Sequence, residues 1–247
     1  MHLSFVLLDR PYDVDGAAVL ASYARLFPQH VRPLVASCDG STGDLRWPDG
    51  RSTIIAIMPA PVPNGEADSA AALSLAALSS GGAPSAAHAA HLTVASLGDD
   101  ATVESLLAHT RLVAACVDAY RAVAVYEGNA GATHPARFYV DVVTSVEVPV
   151  MVWTGVSVAR PSAARIEFLT LGMETNVGVP DMLLSARTSE GNEPLLYLFD
   201  LLTYVLQRGV AIPEGNTVGR TAREKIPVRY VPSPIDPSRK VARVDLP

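Results

Sequence analysis

The stretch 102–120 does most to limit what this chain can fold into. It places Val103, Leu106, Leu107, Thr110, Val113, Ala114 and Val117 on one stripe at helical spacing. A helix of that length runs about 28 Å at about 1.5 Å per residue, and its stripe needs an apolar surface of similar length to cover it. The chain offers that surface as short runs suited to strands: 3–8, 53–58 (Thr-Ile-Ile-Ala-Ile-Met, closed by Pro59), 91–96 and 122–126. A second helical period occupies 193–208, with Pro194 in its first turn and Gly209 just past its end. Helices set among short strands predict an α+β fold, a mixed, mainly antiparallel sheet with helices packed on it. The rhythm leaves open two related βαβ-type halves, 1–130 and 131–247, fused into one sheet. The expectation is one domain over 1–247 with an extended C-terminal tail at 226–247.

Local signals fill in the remainder. Asp15 is a good N-cap for a helix bearing Val19, Tyr23 and Leu26 that ends before Pro28. Asp39-Gly40 and Pro48-Asp49-Gly50 mark turns around a short strand in 33–48. Residues 59–87, with Pro59, Pro61, Pro63 and Ser79-Ser80-Gly81-Gly82-Ala83-Pro84, predict a mobile loop enclosing a short helix near 68–78. A short helix is expected over 135–144. Val148–Val158 and Arg165–Leu171 read as an antiparallel pair turning at Arg160-Pro161-Ser162, and a further strand lies near Met182–Ala186.

Of the 247 residues, 49 % are hydrophobic and 18 % charged, enough to bury a core without disulfides or metals. The longest apolar runs, 148–153 and 195–199, fall far short of the ~20 residues a spanning helix needs. The opening Met1–Asp9 lacks a basic region before its apolar run, so no signal peptide is expected; the expected location is cytoplasmic, with no membrane partner. A net charge of −6 disfavours nucleic acid. Arginine over lysine and abundant alanine fit a GC-rich bacterial genome. The local basic cluster Arg220, Arg223, Lys225 and Arg229 contains Glu224 and reads as a solvated edge. Two cysteines make no disulfide framework: Cys116 reads as core, and Cys38, in a turn-rich segment, as an idle thiol.

Chemistry needs particular residues at particular spacings, and few are found. Cys38 and Cys116 have no neighbouring metal ligands, and His88 and His91 read as surface histidines, so neither a metal nor a cofactor is expected. Gly128-Asn129-Ala130-Gly131 follows a strand but lacks the lysine and glycine spacing of a phosphate loop. A Gly-x-Ser-x-Gly elbow is absent, and no serine or cysteine has a histidine that spacing nominates as its base. Dispersed carboxylates are harder to dismiss. Glu127, Asp141, Glu167 and Glu174 all fall near element ends, and Glu127 opens a Tyr-Glu-Gly-Asn loop at a strand end, where open α/β sheets place ligands.

Six pieces of the chain carry a resemblance: Phe5–Leu8 with the helix after it, Met58–Pro63, Ala90–Val94, Gly128–Gly131, Thr170–Glu174 and Gly215–Ile226. In these the chain resembles the bacterial domain-of-unknown-function family 4261. The resemblance implies a coherent fold along nearly the whole chain and no activity. It also implies tryptophans after the proline-rich turn and an aromatic before the Gly-Asn loop. Here the first region is alanine and serine, and the second position is Tyr126-Glu127. The polar residues of the family-like pieces, Glu127, Asn129, His134, Glu174 and Arg220, form the candidate binding set. The leading expectation is a non-enzymatic protein-binding domain, such as a toxin-neutralising immunity protein or an adaptor, whose partner is another protein. The alternatives are an enzyme or small-ligand binder using those dispersed residues, and self-association.

Overall fold

The apolar stripe of 102–120 finds its surface on a sheet built from the N-terminal half of the chain. The computed structural model describes residues 1–80, 85–98 and 102–247. In chain order come β1 (His2–Leu8), α1 (Gly16–Leu26), β2 (Leu34–Cys38), β3 (Thr42–Arg46), β4 (Ser52–Met58), α2 (Glu66–Ala70), α3 (Leu75–Ser80), β5 (Ala90–Leu97), α4 (Val103–Tyr120), β6 (Ala124–Glu127) and β7 (Ala132–Pro135). These strands form one antiparallel sheet in the order β2-β3-β4-β5-β1-β6-β7. α4 lies on one face of it, over β1, with α1 beside it. The opposite face, around Leu7, Ala124 and Tyr126, is covered by Val62 and by Ala67, Ala70 and Ala71.

The second half continues with α5 (Ala136–Ser145), α6 (Val150–Trp153), β8 (Gly155–Ser162), β9 (Arg165–Leu171), α7 (Met173–Val177), β10 (Met182–Arg187), α8 (Glu193–Arg208), β11 (Thr217–Val218), β12 (Ile226–Pro227), β13 (Arg229–Pro232) and β14 (Lys240–Asp245). It builds a separate sheet, β13-β14-β10-β9-β8, in which β10 and β14 pair in parallel. In place of one fused sheet the described residues form these two larger sheets and a small β11-β12 ladder. The segment after 226 supplies strands to the second of them. One apolar cluster nonetheless runs from Val6, Ile55 and Leu92 through Leu112 and Cys116 of α4 and Trp153 to Leu184, Leu198 and Val244.

The expected caps are in place. The Asp15 carboxylate accepts the Ala18 N–H at 3.0 Å, and Gly209 ends α8 with a left-handed φ of +67°. Thr102 and Ser105 cap α4 reciprocally.

Four local readings change. Residues 33–48 hold a two-stranded hairpin, β2 and β3, around Asp39-Gly40. Val148–Val158 is not one strand. After Pro149 the chain makes the helical turn α6, which buries Val150, Val152 and Trp153 and lets the Trp153 indole N–H reach Thr110 Oγ1 at 2.7 Å. Packing and one buried hydrogen bond override the β-propensity of that run. The β8–β9 turn falls after Ser162, at 163–164, because Ser162 still pairs with Arg165. The helix expected near 68–78 is broken into α2, a 3-10 turn at Ala71–Leu73 and α3. The Gly81–Pro84 part of that loop lies outside the described residues. No helix among the described residues is long and apolar enough to cross a membrane.

Candidate functional site

The five candidate residues separate into four environments. Asn129 and Glu174 come together in a cleft between the two sheets. Glu127, His134 and Arg220 each go elsewhere.

The cleft is built by a close approach that two glycines allow. The β6–β7 turn, Gly128–Gly131, projects from the first sheet and is held between Gly155 of β8 and Gly172, which follows β9. A Cβ on Gly155 would sit 2.5 Å from the Ala130 carbonyl oxygen. One on Gly172, whose φ is +104°, would sit 2.7 Å from the Ala130 Cα. Asn129 Nδ2 donates to Asn176 Oδ1 at 3.0 Å, and Asn176 Nδ2 donates to the Trp153 carbonyl at 3.1 Å, tying the turn to α7 and α6.

The resulting concavity has a volume of about 270 Å³. Its walls are the 128–131 turn, Thr170–Gly172, Glu174, Asp181 and the segment carrying Ser233, Ile235, Asp236 and Arg239. Three carboxylates, Glu174, Asp181 and Asp236, face one guanidinium, Arg239. Arg239 already pairs with Glu174 at 2.5 Å, both side chains being about half exposed. Asp181 is buried. Its Oδ1 accepts from the Thr170 hydroxyl and from the Met173 N–H, each at 3.1 Å, and desolvation raises its carboxyl to about 6. Asp236 is exposed, and the Ser238 hydroxyl and N–H hold its carboxyl below the usual range. Ile235 stands on the rim, 61 % exposed.

Glu127 ends β6, but its side chain turns away from the cleft into a polar seam beneath α4. Ladder partners place the seam on one face of the sheet: Thr53 lies opposite Ser96, Ser96 opposite His2, and Ser4 opposite Glu127. Ser4 donates to Glu127 Oε2 at 2.6 Å and Tyr139 donates to Oε1 at 2.7 Å. His109 of α4 lies 2.8 Å from Ser4 Oγ through Nε2 and 2.8 Å from Ser96 Oγ through Nδ1. Ser96 Oγ is 2.9 Å from Thr53 Oγ1, which accepts the Trp47 indole N–H at 3.1 Å. Burial pushes the Glu127 carboxyl up to about 7 and the His109 imidazole down to about 3.

His134 is fully buried on β7, its Nδ1 2.9 Å from Ser74 Oγ and its ring stacked on Phe138. Burial lowers it to about 4, so it is a neutral core residue. Arg220 belongs to a separate clasp with Glu190 at 2.5 Å and Glu224 at 2.7 Å. The loop there closes so tightly that a Cβ on Gly219 would lie 2.2 Å from the Glu224 carbonyl oxygen.

Of the other residues the sequence singled out, His88 Nε2 accepts the Val62 N–H, and His91 Nδ1 is 2.9 Å from the Ala60 carbonyl oxygen. Cys116 is buried and its thiol raised to about 12, while Cys38 is exposed and donates to the Val14 carbonyl. Among the described residues no group of three or more His, Cys, Asp or Glu is placed to hold a metal ion.

Sequence reasoning missed Asp181, Asp236 and Arg239 in the cleft, and Ser4, Ser96 and His109 in the seam. The seam had a signal. Ser4 shares the inward side of its strand with Val6, and His109 falls between Leu106 and Leu112 on a helix face that is buried. A polar residue at an inward position announces a partner. Asp181 and Arg239 are 58 positions apart in sequence and carry no such mark.

Comparison with known proteins bears on one part of this. Residues 169–245 match the family model of a domain of unknown function, DUF4261. The resemblance read from Thr170–Glu174 and Gly215–Ile226 lies within that span, which supplies every cleft wall except the 128–131 turn. No curated protein and no solved structure matches the chain.

Proposed function

We propose that the chain is a protein-binding domain that takes a basic segment of a partner protein into the cleft between its two sheets. The observation that carries the reading is the charge of the cleft walls, three carboxylates against one guanidinium that already pairs with Glu174. An incoming lysine or arginine side chain would meet Glu174 and Asp236 near solvent and Asp181 deeper in, with the Asn129 amide beside them. A cleft of about 270 Å³ has room for a lysine or arginine side chain. Exposed Ile235 gives the rim an apolar contact of the kind that accompanies charged anchors at interfaces.

The role asks for no chemistry in the cleft. It suits a toxin-neutralising immunity protein or an adaptor in the bacterial cytoplasm, because a chain of net charge −6 attracts a basic partner over long range. Isothermal titration of the full chain with an arginine-rich peptide, alongside a Glu174→Arg/Asp236→Arg variant, tests it. Wild type binds with an affinity that falls as salt rises, and the variant loses about tenfold or more. Equal affinity in the two proteins, or amide shifts confined to surfaces away from the cleft, would overturn the reading.

A second reading is a small cationic ligand at the same walls, favoured by the desolvated carboxyl of Asp181. Free methylguanidine separates the two. The small-ligand reading expects it to bind as tightly per charge as the peptide, and the protein-partner reading expects it to bind far more weakly.

A further inference from the structure

At the far end of the polar seam, away from the cleft, Ser96 and His109 line a small pocket with Trp47, Arg51 and Gly98. Its volume is about 50 Å³. One water needs about 10–15 Å³ measured the same way, so the pocket holds a few waters or an acyl group of acetyl size.

When Glu127 is ionised, the hydrogen count gives the seam behind this pocket a direction. Glu127 accepts two O–H groups, from Ser4 and from Tyr139. The single proton of Ser4 is therefore committed to Glu127, and Ser4 Oγ must accept from His109 Nε2–H. His109 Nδ1 is then the bare nitrogen, and Ser96 donates its own O–H to it at 2.8 Å. Because the Ser96 proton is spent on His109, Ser96 Oγ accepts from the Thr53 hydroxyl, whose oxygen in turn accepts the Trp47 indole N–H. A serine at a pocket donates to a histidine, and the histidine is oriented by a third group: this is the arrangement of an activated nucleophile. Here one extra hydroxyl, Ser4, stands between the histidine and the carboxylate.

We propose that Ser96 is an acyl-accepting nucleophile for short activated esters, with His109, Ser4 and Glu127 as a relay that takes up its proton. The proposal goes beyond the cleft reading and does not depend on it. In the acylation step the Ser96 Oγ–carbonyl carbon bond forms. The Ser96 proton passes to His109 Nδ1, the Nε2 proton passes to Ser4, and the Ser4 proton passes to Glu127 Oε2. The imidazole ends as its other neutral tautomer, so no buried imidazolium is needed. When the ester C–O bond breaks, the same relay runs backwards and the proton leaves on the alcohol. Water then attacks the acyl-serine by the same route and releases the acid.

Glu127 suits the role of final acceptor because burial raises its carboxyl to about 7, near working pH. The titratable groups around the Glu127–Tyr139 pair are His109 and Cys116 of α4, His134 of β7, whose ring packs on Tyr139, and Tyr139 itself. Burial keeps both histidines neutral and the thiol and phenol protonated. The ionisation of Glu127 is then left to set the pH profile.

The test treats the full chain with p-nitrophenyl acetate and maps the adduct by peptide mass spectrometry. The expected result is one acetyl group on Ser96 and a burst of p-nitrophenolate whose rate rises with pH as Glu127 ionises. Glu127→Gln should slow that burst by about 100-fold and flatten its pH profile, while a thermal melt shows the variant folded. Acetyl found only on lysines or the amino terminus of wild type, with Ser96 unmodified, overturns the proposal without any variant having to fold. A burst unchanged in Glu127→Gln overturns the relay.

Discussion

The seam and the cleft are two polar regions one turn apart. Glu127 closes the first, and the next residues, Gly128–Gly131, wall the second. The seam is closed. Glu127, His109 and Ser4 are buried, and each finds its partner within the fold. The cleft is open, and its Glu174–Arg239 pair remains about half exposed. The same side-chain chemistry therefore does different work according to its contact with water. In the seam a carboxylate is desolvated, shifted and locked to its neighbours. In the cleft the Glu174 carboxylate is screened and within reach of something from outside, with buried Asp181 behind it. Polar character at a strand end did not distinguish the two; the direction of the side chain did.

The largest expected effect comes from breaking the joint between the regions. Gly172→Ala puts a Cβ 2.7 Å from the Ala130 Cα and 3.1 Å from the Asn129 carbonyl oxygen, at a φ of +104° that side-chain-bearing residues rarely adopt. Urea unfolding should show a loss of about 3 kcal/mol or more. Gly178→Ala, also at positive φ but with nothing near its added Cβ, should cost about 1 kcal/mol. Equal costs at the two glycines would mean that the turn is not clamped between the sheets.

The intermediate effect is a pH dependence that belongs to the seam. Glu127 moves from 4.5 in the unfolded chain to about 7 in the folded one. Between those values the folded state holds a proton that the unfolded state has lost, so this group makes stability fall as pH rises. His2 and His134, lowered to about 4, and His109, lowered to about 3, act the other way: the unfolded chain binds their protons first, so stability rises with pH up to about 6.5. Asp181, raised to about 6, opposes them only below that pH. Three histidines against two carboxyls give rising stability through pH 4.5–6, and Glu127 alone gives a small fall from 6.5 to 7. Stability should peak near pH 6.5. In Glu127→Gln the contribution of this group disappears, so the variant should gain stability on wild type as pH rises from 4.5 to 7, and that gain should then stay constant. Its full size is on the order of 3 kcal/mol. A constant difference across that range, measured by denaturant melts at each pH, would refute a shifted Glu127.

These contrasts also show what was legible beforehand. The helix at 102–120 and the one at 193–208 were readable because their apolar residues keep one period and their ends carry caps. Residues 148–153 mislead because Val-Pro-Val-Met-Val-Trp has strand composition, while the helical turn is favoured by the burial of Val150, Val152 and Trp153 and by the distant hydroxyl of Thr110. Glu174 stands out as a carboxylate near an element end and Asn129 as a polar residue of a family-like piece, and they share a cleft. Glu127 was picked by the same rule and faces the other way, because the alternation that ends β6 turns its side chain under α4. Arg220 was picked from the most distinctive segment, whose tight geometry is spent on its own clasp.

The smallest effect on folding should come from the cleft itself, and that is what makes it diagnostic. Glu174 and Arg239 are about half exposed and mainly bind each other. Replacing Glu174 by Gln therefore removes a screened pair worth about 1 kcal/mol or less. Its neighbour Asp181 keeps its bonds to Thr170 and Met173 and holds the wall in place. Glu174→Gln should thus leave the thermal midpoint within a few degrees of wild type while weakening capture of a basic peptide. If Glu174→Gln instead costs as much stability as Gly172→Ala does, the cleft is a structural joint rather than an open site and the distinction between the two regions fails. If it alters neither folding nor binding, the carboxylates of the cleft are ordinary surface groups, and recognition must be sought on another face.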